Sequence, residues 1–286
     1  MKNILVVFND KSGKKNASAC KKLIYKKLIQ ENLTFKFVNV NVLPFLKDIE
    51  KYDTIIVVGG DGTINAVLPY LVNTNKSLGL IPTGTANLLA ANLLIPNNAS
   101  KALKIIMKAN NRTIDAASAG DKYFILRLGF GYDADILSDT SQEFKNKVGY
   151  WAYFIKGAFK IFTLKNASYK IKLNDEKLFV SAGTIIIANA GNMFKNVFSI
   201  APNGTLDDGE LDVFIRRTNN VIESIEVFLR VIFKNFRPSS KIIYAKASNI
   251  IIKSKNKNFH IDGESHTLRD NLSIQVIPKS VKVFVP

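Results

Sequence analysis

A heptad with three glycines around one carboxylate, Gly59-Gly60-Asp61-Gly62-Thr63-Ile64-Asn65, follows the β-rich apolar run at 53–58. Glycines here let the backbone turn sharply and come close to a ligand. Amides at the start of the following helix face an anion, which the helix dipole favours. Asp61 cannot itself bind a phosphate, so among such amides it reads as a magnesium or hydroxyl contact. The bland alternative is a tight turn whose aspartate caps a helix. Two further loops carry the same sort of chemistry. Asn9-Asp10-Lys11-Ser12-Gly13 supplies small polar groups and a glycine. Pro82-Thr83-Gly84-Thr85-Ala86-Asn87 supplies two hydroxyls, a glycine and a side-chain amide at a helix start. Together the three loops suit a triphosphate. The chain has no G-x-x-x-x-G-K-[ST] loop and no GxGxxG fingerprint, so neither a Walker-type nor a dinucleotide site is expected.

These loops need elements that deliver them to one place. Up to about residue 115, apolar β-rich runs alternate with helical stretches: strands at 3–8, 35–42, 54–58 and 78–81, and helices at 16–30, after the glycine heptad to Val72, from Ala86, and at 99–109. Such alternation predicts a parallel sheet with helices on both faces. Ligands of these sheets bind beyond the carboxyl ends of the strands, where all three loops fall. The rest of the chain is mostly strand: 122–128, 169–173, 178–189, 211–216, 242–247, 250–254, 259–261, 272–277 and 281–285, with helices expected at 148–164 and 220–236. The fold class is therefore an α/β nucleotide-binding domain over 1–118, then a mainly antiparallel β-sandwich domain over 119–279. The last strand, about 280–286, is a candidate to return to the first domain.

Composition sets the outer limits. The 286 residues contain one cysteine, Cys20, and two histidines, His260 and His266. An internal disulfide, a cysteine zinc site and a His-rich metal centre are excluded. The longest near-apolar stretches are about ten residues, too short to span a bilayer. The N-terminal segment lacks the pattern of a signal peptide, which points to a cytoplasmic protein. The net charge of +17 reads either as attraction to an anionic partner or as general lysine bias. The aromatic stretch from Gly149, with Lys156 and Lys160, suits a membrane interface and equally a helix packed on a sheet.

The chain resembles the diacylglycerol kinase catalytic-domain family, which includes bacterial soluble lipid kinases and is related to sphingosine and ceramide kinases. The resemblance rests on Asn9 to Gly13, Val58 to Asn65, Ile81 to Asn87, Leu94-Ile95-Pro96, Asp115, Pro202 to Leu211, and Ile261-Asp262-Gly263-Glu264. GGDGT is shared with NAD kinases and phosphofructokinases, whereas the P-x-GT-x-N segment and the late DGE are more specific to lipid kinases. The resemblance implies transfer of the γ-phosphate of ATP to a lipid hydroxyl, most simply diacylglycerol to phosphatidic acid. It implies that Asn9, Asp10, Lys11, Ser12, Gly13, Gly59, Gly60, Asp61, Gly62, Thr63, Ile64, Asn65 and Thr85 bind ATP. Asp61 and Asp115 would stand near a catalytic Mg2+. Asp208, with main-chain oxygens of Thr205 and Glu210, would hold a structural Mg2+. Glu264 would be the general base, with Asp61 the other catalytic residue.

Two positions depart from the family pattern. Asp10 stands where a proline is usual, and Leu88 where many members have Asp. The expected partners are ATP and a lipid alcohol at a membrane surface, with peripheral contact to the anionic inner face and no specific nucleic acid. The sequence leaves a homodimer open. The alternatives are an NAD kinase-like enzyme and a non-catalytic anion- or membrane-binding protein on the same fold.

Overall fold

The structure is a computed structural model that describes residues 3–10, 17–131, 166–190, 192–193, 198–199, 205–218, 220–233, 235, 239–255 and 257–286. The helix expected at 148–164 lies outside the described residues, as do Lys11, Ser12, Gly13 and the stretch 201–204. The chain divides into two compact units. Unit 1 is Met1–Ala116, Leu206–Gly209 and Ile277–Pro286; unit 2 is Ala117–Thr205 and Glu210–Val276.

Unit 1 runs β1 (Asn3–Phe8), α1 (Ala17–Gln30), β2 (Thr34–Asn39), β3 (Thr54–Gly59), α2 (Asp61–Val67), β4 (Ser77–Pro82), α3 (Leu88–Asn92), α4 (Ala99–Lys108) and the first part of β5 (Asn111–Ala119). Its sheet is parallel in the order β2-β1-β3-β4. The end of β18 (Asn271–Phe284) adds a further parallel partner, with Lys282 and Val283 against Ser77 and Leu78. Every residue of β3 and β4 is buried, as expected of central parallel strands covered on both faces. Ile24 and Leu28 of α1 and Ala102, Leu103 and Ile106 of α4 fill the core at helical spacing. Asn98 starts α4 by accepting the Lys101 amide, the usual N-cap arrangement.

Two elements end sooner than their composition suggests. β2 stops at Asn39, whose side chain accepts the Asn41 amide and turns the chain into a 3-10 segment, Val40–Phe45. The helix after the glycine heptad ends at Val67, where Pro69 has no amide to continue it and Leu68–Tyr70 tightens to 3-10.

Unit 2 contains the end of β5, then β6 (Lys122–Phe124), β7 (Arg127–Phe130), β8 (Ala167–Leu173), β9 (Glu176–Ala182), β10 (Thr184–Ala188), β11 (Asn192–Met193), β12 (Phe198–Ser199), β13 (Leu211–Arg216), α5 (Val221–Ile232), β14 (Ile242–Ala247), β15 (Asn249–Ser254), β16 (Asn258–Ile261), β17 (Glu264–Thr267) and the start of β18. One antiparallel layer is β18-β15-β8-β9, the other β14-β13-β10-β7-β16-β17. Alternate residues of both layers meet in one core, Tyr169, Ile171 and Ile252 from the first and Phe130, Ile187 and Val213 from the second. Phe130 stacks on Phe259 at 5.5 Å and meets Tyr169 edge-on at 5.9 Å. The second layer carries α5 on its other face, with Val227 and Val231 against Phe214 and Ile242.

The apolar run 178–189 is two strands, because Gly183 breaks it: β9 joins the first layer and β10 the second. Conversely, the runs at 272–277 and 281–285 are one strand, β18, which bends at Lys279 (φ 50°) and passes from unit 2 into unit 1. Among the described residues no helix is long and apolar enough to cross a membrane.

Candidate functional site

The register of the parallel strands brings the loops of unit 1 to one edge. Phe8 lies beside Val58, and Gly59 beside Pro82. The loop after β1 is tied to the next strand by the Asn9 amide, which donates to the Val58 carbonyl at 3.3 Å. The Asn9 side chain reaches the Thr63 hydroxyl at 3.5 Å. The loop after β4 is tied to the one after β3 by the Thr83 amide, which donates to the Gly59 carbonyl at 2.9 Å. Gly60 and Gly84 then meet backbone to backbone. A Cβ on Gly84 would stand 2.6 Å from the Gly60 Cα, and one on Gly60 would stand 3.1 Å from the Gly84 Cα. A side chain on Gly84 would force the two loops apart, and one on Gly60 would press them by a few tenths of an ångström. Gly62, by contrast, is exposed, and a Cβ there would meet nothing within 4 Å.

Asp61 is half-buried, and its carboxylate spans the two loops. Oδ2 accepts the Leu88 amide at 3.0 Å and Oδ1 the Leu89 amide at 3.2 Å. The first amides of a helix have no partner within it, and a carboxylate there is favourable. Asp61 therefore caps α3, the helix of the third loop, although it sits in the first turn of α2. Asn87, in the left-handed region at φ 50°, donates to the Gly84 carbonyl at 2.9 Å and to Asn97 Oδ1 at 3.2 Å. Its Oδ1 is a buried acceptor with no partner among the described residues, and it faces the Gly60–Gly84 contact. Asn65 Oδ1 is a second buried acceptor without a partner among the described residues.

The remaining residues of these loops are placed as follows. Ile64 is buried and Thr85 exposed. Asp10 accepts from the Asn39 side chain at 2.7 Å and pairs with Lys21 of α1 at 3.3 Å. It is thus bound to its own unit at the position where proline is usual.

Asp115 belongs to a second cluster of unit 1. It is fully buried; Oδ2 accepts the Gly209 amide at 2.7 Å and Oδ1 the Lys279 amide at 2.6 Å. Its own amide donates to the Leu206 carbonyl at 2.6 Å. One carboxylate therefore holds the 206–209 turn and satisfies the amide exposed by the bend of β18. Arg112 grips Asp207 in a fork, Nε at 3.1 Å and Nη2 at 2.7 Å. Asp208, Thr205 and Glu210 are exposed, and Glu210 pairs with Lys246 at 3.5 Å. Among the described residues no three His, Cys, Asp or Glu side chains gather to hold a metal ion.

In unit 2, Glu264 is exposed at the start of β17, opposite Ile261 across a two-residue hairpin. Asp262 (φ 47°) and Gly263 (φ 93°) make that turn, which is the D-G signature of a tight hairpin. Asp262 does more than turn the chain. Its carboxylate accepts the amides of Ile125 (3.2 Å), Leu126 (3.4 Å) and Arg127 (2.7 Å), fixing the corner between β6 and β7. Burial pushes its carboxyl up to about 6, with the backbone hydrogen bonds and Arg127 opposing. His260 is buried in β16, and His266 leans on the Phe259 ring at 5.6 Å. Burial, with Lys122 nearby, lowers the His266 imidazole.

Sequence reasoning placed Gly84 and Asn87 in the third phosphate loop and Asp262 in the DGE motif, but not the Gly60–Gly84 contact, the Asn87 bonds to Gly84 and Asn97, or the reach of Asp262 to 125–127. Gly84 follows its strand as Gly60 follows the previous one, and that repeat was the available signal. The reach of Asp262 to the 125–127 corner has no local signature.

Comparison with known proteins places the chain in a family. Residues 3–119 match the model of the diacylglycerol kinase catalytic domain, and residues 127–285 that of the YegS C-terminal NAD kinase beta sandwich-like domain. A diacylglycerol kinase of Bacillus subtilis is 30% identical over 220 residues, covering 76% of this chain and 72% of that protein. One from Staphylococcus aureus is 29% identical over 218 residues, covering 75% and 69%. A crystal structure of a diacylglycerol kinase from Bacillus anthracis superposes with a TM-score of 0.80 at 23% identity, over 100% of this chain and 97% of that one. With matches to the models of both of its domains, this chain belongs to the diacylglycerol kinase family, as a lipid kinase that moves phosphate to an alcohol.

Proposed function

We propose that the chain transfers the γ-phosphate of ATP to the hydroxyl of diacylglycerol, giving phosphatidic acid, with Mg2+ as cofactor. One observation carries the reading: the Gly60–Gly84 contact, which joins the two loops beside the buried, unpartnered Asn87 Oδ1. Glycine-rich loops that approach this closely, each leading into a helix start, suit the backbone contact of a phosphate chain. A buried acceptor without a partner calls for a donor from a ligand or its water. Asn9 to Gly13, Gly59 to Asn65 and Thr85 are the proposed ATP contacts.

Mg2+ commonly keeps several waters and takes one or two carboxylates together with the phosphates of its substrate. Asp61 fits that demand, since each of its oxygens keeps a lone pair beyond the amide it accepts. Asp115 is proposed near the same ion. Asp208, with main-chain oxygens of Thr205 and Glu210, is proposed to hold a structural one. When bound, the ion would neutralise charge on the phosphates. In the transfer, the lipid oxygen bonds to the γ-phosphorus, the bond from that phosphorus to the bridging oxygen breaks, and ADP leaves. Glu264 is the proposed acceptor of the hydroxyl proton; it is an exposed carboxylate at the end of a two-residue hairpin.

ATP consumption should be measured with diacylglycerol in mixed micelles, with NAD, and with no acceptor. Turnover that requires diacylglycerol supports the proposal. Turnover that requires NAD, or that needs no acceptor, contradicts it.

A further inference from the structure

The first layer of unit 2 turns one face to the core and the other to solvent. On the outer face the register sets Lys253 opposite Lys170, and Lys172 opposite Lys177. Residues directly opposite in antiparallel strands have Cβ atoms about 5 Å apart, and like charges there destabilise the sheet. The nearby acids give little relief. Asp175 is 3.4 Å from Lys172 and Asp270 is 3.9 Å from Lys253, and both acids are strongly exposed, a setting in which ion pairs contribute little. Two apolar side chains stand among these lysines. Phe179 is 75% exposed and lies opposite Lys170, whose ammonium is 5.6 Å from the ring centre. Ile251 is 40% exposed and lies opposite Lys172. A groove of about 580 Å³ runs along this face between Phe179, Lys170, Lys253 and Lys255.

A face that sets lysine against lysine, around an exposed aromatic ring, is complementary to a surface that is anionic outside and apolar beneath. We propose that this face docks on a bilayer containing anionic phospholipid. Lys170, Lys172, Lys177 and Lys253 lie against the phosphates, and Phe179 enters the interface. The choice of a bilayer over another polyanion rests on reading the chain as a kinase of lipids.

The test is sedimentation of the full chain with vesicles, without ATP or diacylglycerol. One set of vesicles is phosphatidylcholine; the other also contains phosphatidylglycerol. Wild type should bind the anionic vesicles. The triple variant Lys170→Gln, Lys177→Gln, Lys253→Gln should bind them on the order of a hundredfold less, at about fivefold per lysine. Its melting temperature should be equal or higher, since like charges have been removed. Phe179→Ser alone should weaken binding several-fold. Wild type that stays in the supernatant overturns the proposal, as does a triple variant that sediments like wild type. So does a loss confined to Ile222→Ser with Phe233→Ser, which alters the exposed apolar residues of α5 and its C-cap on the opposite side of the sandwich. Loss of DNA-duplex binding by the triple variant, with vesicle binding retained, also overturns it. Activity on diacylglycerol in neutral detergent micelles is read separately. An inactive wild type that still binds anionic vesicles through these lysines sinks the kinase reading and leaves the docking face standing.

Discussion

The carboxylate of Asp61 accepts the Leu88 amide at 3.0 Å, so the aspartate of the second loop starts the helix of the third. A residue proposed for magnesium is thereby also a structural cap, and its substitution should show both effects. Asp61→Asn keeps one oxygen but loses the charge and one of the two amide contacts. Turnover and ATP–Mg2+ affinity should both fall. The melting temperature should fall too, by an amount corresponding to about 1–2 kcal/mol, since one hydrogen bond to a charged group is lost. Calorimetric titration and thermal melts report the two effects separately. A melting temperature equal to wild type would show that the capping bonds contribute nothing.

Gly62 offers a cleaner test of the phosphate loop than Gly60. A Cβ on Gly60 would press on Gly84 at 3.1 Å, so any bulk there moves the loops even without a ligand. A methyl on Gly62 meets no protein atom within 4 Å. Gly62→Ala should therefore leave the melting temperature unchanged or slightly raised, because alanine suits a helix better than glycine. It should still weaken ATP binding at least about tenfold if phosphate approaches that backbone. Unchanged ATP affinity in calorimetry would remove Gly62 from the site.

Asp115→Asn should destabilise unit 1 with or without magnesium. The buried carboxylate accepts two backbone amides, and an asparagine must turn an NH2 toward one of them. Leaving a buried donor unsatisfied costs about 1–3 kcal/mol. Chemical denaturation in EDTA and in magnesium should give the same loss. A loss seen only in magnesium would make Asp115 chiefly a metal ligand.

The strand–helix alternation of unit 1 was legible because central parallel strands are continuous apolar runs, and β3 and β4 are buried throughout. The three loops were legible because Gly, Asp and Thr mark strand ends. Long-range roles were not legible. Nothing around Asp115 says that its partners are Gly209 and Lys279, separated from it by 94 and 164 positions. Likewise β5 reads weakly as a strand, since its alanines and serine pack without a strong β signature. The break at Gly183 was masked by β-branched residues on both sides, although the glycine itself was visible.

Asp262 predicts a pH dependence. Its folded-state value of about 6 lies above the ordinary 3.8, so the folded chain holds that proton more tightly than the unfolded one. The stability from this group is fully present below about pH 4 and is lost as pH rises through about 6. Wild type should lose stability relative to Asp262→Asn across that window, by at most about 3 kcal/mol. Denaturant midpoints for the two proteins at pH 4, 5, 6 and 7 check this. Parallel curves would mean that the three backbone donors offset burial completely.

The central claim is that phosphate passes from ATP to diacylglycerol with Glu264 accepting the proton. The direct measurement uses γ-labelled ATP with diacylglycerol micelles and magnesium, followed by extraction into organic solvent. Wild type should yield labelled phosphatidic acid. Glu264→Gln should yield it about 10²–10⁴-fold more slowly, with ATP affinity and melting temperature nearly unchanged. No label in the organic phase from wild type would contradict the account of the reaction. Near-normal labelling by Glu264→Gln, when chemistry limits the rate, would contradict the assignment of the base.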